Sequence, residues 1–90
     1  MPAKLQFKLF ISGMTVKSIR AIENIKIIGD EHLKGSYELE IIDLSKERAK
    51  AKEFQIFALP TLIKMAPGPT RTILGDLSDK EKILKILDVK

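Results

Sequence analysis

Two segments, Leu59-Pro60-Thr61-Leu62 and Gly75-Asp76-Leu77-Ser78, constrain this chain more than any other feature. A proline fixes φ and withholds an N–H, so it belongs at the start of a strand or in the loop before it. Pro60 therefore marks where a loop hands over to a β-prone stretch, and two peptide geometries are open to it, trans by base rate or cis by the demands of a tight loop. The chain contains no cysteine. No disulfide can staple the fold and no thiol can act on a substrate. A loop shaped in this way without a reactive group points to binding of a protein partner.

Ninety residues suit one domain, taken as 1–90. Such a chain buries only about 60–65% of its unfolded surface, so its stability is modest. No stretch reaches the roughly 18 apolar residues of a membrane span. Met1 to Lys8 carries no long apolar run, so no signal peptide is expected and a cytoplasmic location is the default. The net charge of +4 raises nucleic acid as a partner. The cations, however, are interleaved with acids, as in Lys46-Glu47-Arg48 and Asp79-Lys80-Glu81-Lys82. That is the pattern of solvated helix faces, and no nucleic-acid motif accompanies it.

Leu5, Phe7, Leu9 and Ile11 alternate and predict a strand, closed by Ser12-Gly13. Thr15 is placed to N-cap a helix to about Ile28, with Val16, Ile19, Ile22, Ile25 and Ile28 near helical spacing and Gly29-Asp30 as its stop. Glu31 to Ser36 reads as a loop. Tyr37, Leu39 and Ile41 alternate with Glu38, Glu40 and Ile42 in a second strand, whose polar residues suggest a sheet edge. Ser45 is read as the cap of a short helix, roughly Lys46 to Glu53. Phe54 to Leu59 fits a strand or a helix end. Thr61 to Met65 and Thr70 to Leu74 read as strands joined by the turn Pro67-Gly68-Pro69. Ser78 and Glu81 form a capping box for a last helix, with Ile83, Leu84 and Leu87 toward the core. The order β-α-β-α-β-β-α predicts a thioredoxin-like α/β fold with a mixed four-stranded sheet and helices on both faces.

In thiol oxidoreductases of that fold the attacking sulfur lies between the first strand and first helix. Here the place is occupied by Ser12-Gly13-Met14-Thr15-Val16-Lys17-Ser18. Thr15 and Ser18 read as a cap and a surface hydroxyl, and neither has a base nearby in sequence. No catalytic residue and no cofactor is expected. His32, the single histidine, sits in a charged loop, and one His without Cys builds no usual zinc site. Lys64, Arg71 and Lys8 either form a solvated face or share a basic patch for an acidic partner surface.

Along most of its length the sequence resembles the KaiB family of the cyanobacterial clock and its non-clock bacterial relatives. The resemblance rests on Phe7-Lys8-Leu9-Phe10-Ile11-Ser12-Gly13, Ser18-Ile19-Arg20-Ala21, Leu39-Glu40-Ile41-Ile42-Asp43-Leu44, Pro60-Thr61-Leu62-Ile63-Lys64 and Ile73-Leu74-Gly75-Asp76-Leu77-Ser78, in that order. It implies a non-enzymatic protein that binds the N-terminal ATPase ring of a KaiC-type protein in its thioredoxin-like state, competing there with the similar domain of the SasA histidine kinase. It also implies a metamorphic chain, whose second half refolds into a non-binding tetramer. By the same resemblance Arg20, Lys64 and Arg71 are charged partner contacts, while Pro60, Gly75 and Asp76 are conformational determinants.

Three departures from the family pattern shape the expectation. The turn carries Thr70-Arg71-Thr72 where the family often has two arginines, and β-branched residues there favour strand. The acidic tail common in clock members is missing, which removes an element expected to support the tetramer. Glu38 and Glu40 place carboxylates on the second strand, which argues against strand addition by KaiA. A monomer in the thioredoxin-like state is therefore expected to dominate. Two other readings of the fold are a glutathione-binding domain of the glutathione transferase type and a kinase sensor domain. They would need, respectively, a helical second domain and a kinase module.

Overall fold

The structure, a computed structural model, describes residues 5–66 and 68–87. The alternation read at the N-terminus forms strand β1, Leu5–Ile11. Its Phe7, Leu9 and Ile11 enter one core cluster, while Phe10 enters another on the opposite face. The chain continues as helix α1 (Val16–His32), strand β2 (Tyr37–Asp43), helix α2 (Ala49–Glu53), strands β3 (Thr61–Ala66) and β4 (Arg71–Leu74), and helix α3 (Lys80–Ile86). The sheet order is β2-β1-β3-β4, with β1 parallel to β2 and the other pairs antiparallel. This is the mixed four-stranded sheet expected, with β2 on one edge. The turn predicted at 67–69 has Pro67 outside the described residues.

The two faces bury different helices. Ala21, Ile25 and Ile28 of α1 and Ile83 of α3 pack on Phe7, Leu9, Ile11, Leu62 and Ile73. The other face is smaller: Phe10, Ile42, Leu44 and Ile63 meet Ala51, Phe54, Ile56 and Met65.

Four local expectations are corrected. First, α1 passes through Gly29 and ends a turn later, so Glu31 and His32 are helical. The chain turns at Lys34 (φ 51°) and Gly35 (φ 76°), and the Leu33 and Gly35 N–H groups donate back to the Gly29 carbonyl. Second, Val16 and Ile19 stay exposed. A strict i+3 run turns about 300° per step and drifts off one face, so the buried stripe is Ser18, Ala21, Ile25 and Ile28 instead. Third, Ser45 caps no helix. Its N–H and hydroxyl both donate to Asp43 Oδ1, at 3.0 and 2.6 Å, and α2 starts later without a side-chain cap. Fourth, the α3 cap is Asp79, which accepts from Lys82 N–H, while the Ser78 N–H is taken by Asp76. The capping box does not form, because N3 is then a lysine.

Gly29 shows why a glycine stands inside α1 despite its cost of roughly 1 kcal/mol there. A Cβ at this position would lie 2.2 Å from Tyr37 Cε1. The Tyr37 ring, edge-on to Phe7 at 6.3 Å, needs that space. Gly29→Ala is expected to lose about 1–3 kcal/mol by overpacking, read as a lower urea midpoint. The double variant Gly29→Ala/Tyr37→Ala should recover part of the loss. A single variant as stable as the parent would show that the ring moves freely.

Candidate functional site

One end of the sheet gathers the loops that connect β1 to α1, α2 to β3, and β4 to α3. Thr15 caps α1 as expected, its hydroxyl oxygen accepting from the Ser18 N–H at 3.1 Å. The Thr15 hydroxyl donates to Ser18 Oγ at 3.0 Å. Ser18, expected at the surface, is 2% exposed. It lies on the inner face of α1, so this hydroxyl pair completes the helix start.

The Leu59–Pro60 peptide is cis. Around it the loop is pinned by the Thr61 hydroxyl, which donates to the Ala58 carbonyl at 2.5 Å, and by the Gly75 N–H, which donates to the Pro60 carbonyl at 3.0 Å. Gly75 adopts φ +104°, a conformation other residues resist. Asp76 Oδ1 accepts from the Ser78 N–H at 3.1 Å, as expected of a residue shaping the entry to the last helix. The Ser78 side chain and backbone hold the Asp76 carboxyl below the usual carboxylate range, and the nearby Arg20 guanidinium lowers it further. All three conformational candidates, Pro60, Gly75 and Asp76, thus meet at one end of the sheet.

The charged candidates do not meet. Arg20 is exposed on α1, beside Asp76. Lys64 and Arg71 are direct cross-strand partners three pairs away from Thr61–Leu74, roughly 10 Å along the strands. Lys64 is 8% exposed, so its stem is covered, whereas Arg71 stands in solvent. Lys8 belongs to the other face of the sheet: its Nζ pairs with Glu40 at 2.5 Å and lies 5.7 Å from the Phe54 ring centre. The shared basic patch of Lys8, Lys64 and Arg71 is therefore not formed. Strand alternation sends Lys8 and Lys64 to opposite sides, because Lys8 faces Ile63 in the register. His32 also departs from the solvated-loop reading. It sits in the last turn of α1, its Nε2 shielded without a hydrogen-bond partner and 3.8 Å from Glu31 Oε2.

What the residue-by-residue reading missed is apolar. Met14, Val16, Phe57, Leu59 and Leu74 are all exposed, and each lies in or beside the three loops at the Pro60 end. Phe57 is the extreme at 95% exposed. Grooves flank the cis-proline loop on both sides, one lined by Thr15, Val16 and Pro60 and the other by Ile56, Phe57 and Leu74. The signal lies in Phe54 to Leu59, which by sequence fits a strand or a helix end. Phe54 and Ile56 pack inward on the smaller cluster, and Phe57 falls between them and the loop. Among the described residues no cluster of three or more His, Cys, Asp or Glu is placed to hold a metal ion. Nor is any helix among them long and apolar enough to cross a membrane. An exposed apolar rim around a rigid loop, with Arg20 beside it, can recognise a surface.

The KaiB domain family model matches residues 8–89. The chain belongs to the KaiB family. The circadian clock oscillator protein KaiB of Microcystis aeruginosa is 46% identical to it over 82 residues, which cover 91% of this chain and 79% of that protein. The protein of the same description from Rippkaea orientalis matches with the same identity and coverage. In structure, this KaiB-family chain is similar to the N-terminal domain of Synechococcus elongatus SasA, with a TM-score of 0.77 at 20% identity, covering 98% of this chain and 87% of that one. Fasciola hepatica thioredoxin gives a TM-score of 0.74 at 15% identity, covering 98% and 83%. At such identities the likeness shows the fold, and the fold is thioredoxin-like.

Proposed function

We propose that this KaiB-family chain is a non-enzymatic regulator that docks on a KaiC-type ATPase, in circadian timing or a related bacterial system. The observation that carries the reading is the exposed apolar rim around cis-Pro60, in a chain 46% identical to circadian clock oscillator proteins. The rim offers an exposed aromatic, Phe57, that a partner surface would desolvate as an anchor. Phe57 and Leu59 supply apolar area, and Arg20 supplies a charge beside it. Arg71 is a second exposed contact farther along β4, with Lys64, largely covered, directly across from it on β3.

The reading includes competition with a SasA-like kinase domain for one ring surface, and the fold shared with the SasA N-terminal domain is consistent with it. KaiA recruitment is not part of the proposal. Glu38 and Glu40 line the β2 edge, and Lys8 pairs with Glu40 and holds its carboxyl below the usual range. A charged edge opposes strand addition. The protein works in the cytoplasm as a monomer, and a tetrameric, refolded state is its minor alternative. Two such packings differ by only a few kcal/mol in proteins that switch.

Gel filtration with light scattering, alone and after overnight mixing with a KaiC-type N-terminal ATPase hexamer, tests this. A monomer that co-elutes with the ring is the expected result. A tetramer alone, a monomer that never joins the ring, or a helical signal from residues 70–74 in solution would overturn it.

A further inference from the structure

The corner Leu74–Ser78 joins β4 to α3 and is held by three hydrogen bonds, two from outside it and one within it. The Gly75 N–H donates to the Pro60 carbonyl, and the Ser78 N–H to the Asp76 carboxylate. The third tie comes from α1: Asn24 Nδ2 donates to the Asp76 carbonyl at 2.8 Å, across 52 residues of sequence. The backbone here needs such ties. Gly75 lies at φ +104°, and Leu77, a bulky residue, lies at φ +65° with its side chain in the core. Left-handed conformations of that kind persist only where the surroundings over-determine them.

Arg20 is one turn before Asn24 on the same side of α1, close enough for its charge to lower the Asp76 carboxyl. Leu74, at the start of the corner, is part of the exposed apolar rim. Residues 20, 24 and 76 therefore link the helix, the corner and the docking end in one connected set.

We infer that Asn24 is a positioning residue for docking. By holding the Asp76 carbonyl it sets the pose of the Leu74–Ser78 corner, and with it the relation of Leu74 to Arg20. It acts through the Asp76 backbone rather than by touching a partner. The inference rests on the docking role proposed above.

The chemistry of the bond supplies the test. The Asp76 carbonyl needs a donor, and Asn24→Asp keeps the shape while replacing the amide N–H by an acceptor. A carboxylate there faces a carbonyl and lies near the Asp76 carboxylate, with Arg20 as the neighbouring cation. Protonating the new carboxyl restores an O–H donor. Asn24→Ala has no donor at any pH. Amide hydrogen exchange, as protection factors relative to the parent at about pH 7.5 and about pH 3.5, brackets the ordinary titration range of an aspartate carboxyl.

For Asn24→Asp at the higher pH we expect protection at Gly75 and Ser78 to fall about tenfold, the scale of one lost hydrogen bond with its partner left unpaired. Amides of β1 should be unchanged. Dissociation from the KaiC-type ring at that pH should be about five- to tenfold faster by the same energy. At the lower pH Asn24→Asp should regain protection and Asn24→Ala should not. Unchanged protection at Gly75 and Ser78, a loss spread evenly over the whole chain, or equal behaviour of the two variants at both pH values would overturn the inference. So would a parent protein that joins the ring while Asn24→Asp leaves it at the parent rate. A parent protein that never joins the ring would sink the docking reading itself, and the positioning role with it.

Discussion

Replacing Phe10 by alanine is expected to remove about 3–5 kcal/mol of folding stability, the range for deleting a buried aromatic ring. Phe10 is 0% exposed, next to the C-terminal end of β1, and its ring lies 5.1 Å from that of Phe54. It is the hub of the smaller core, where three other buried residues, Ile42, Leu44 and Ile63, have little to collapse onto. Domains of about this size have roughly 5–13 kcal/mol in total. The loss is a large share of that total, so the variant should show a urea midpoint far below that of the parent with a similar slope. The face under α1 and α3 has its own cluster, so residual helical signal from that side is compatible with the result. A loss below about 1 kcal/mol would mean that α2 and Phe54 close over the cavity.

Phe57→Ala should do the reverse: leave stability unchanged and weaken ring binding by about thirtyfold. At 95% exposed the side chain contributes little to folding. A solvent-facing aromatic beside a fixed loop has the character of an interface anchor, and such anchors cost about 2 kcal/mol or more when truncated. At about 1.4 kcal/mol per factor of ten, that is the predicted change in Kd. Arg71→Ala serves as the comparison, since a rim charge contributes mainly to the association rate and its salt dependence. Titration of the KaiC-type ring with each variant, alongside a thermal melt, checks both halves. Equal affinities for Phe57→Ala and the parent would move the docking surface away from the Pro60 end.

The two expected effects separate what holds this domain together from what it presents. Phe10 and Phe57 are residues of one type, placed on β1 and in the loop before β3. Nothing in their immediate neighbours in sequence distinguishes a hub of the core from an anchor in solvent. The difference comes from α2, which covers the face that receives Phe10 and ends before Phe57.

Elements whose signals are local are legible in the amino-acid order alone. Alternation marked β1 and β2, a threonine before an apolar period marked the start of α1, and a proline behind Leu59 marked the start of β3. That order also determined that no thiol chemistry is possible and, through the spaced segments from Phe7 to Ser78, the family. Local signals report backbone preference and period, and those survive in almost any surroundings. Tertiary structure alone decided what each face meets. Gly29 makes room for Tyr37 inside α1 and the chain turns only at Lys34 and Gly35, so the helix ends a turn later than its glycine suggested. The antiparallel register puts Lys64 beside Arg71 and leaves Lys8 on the far side with Glu40. Asp76 takes the Ser78 N–H, so the last helix is capped by Asp79. Each of these outcomes is a competition for one donor, one cavity or one side of the sheet. The competitors lie far apart in the chain, and only the assembled fold brings them within reach of each other.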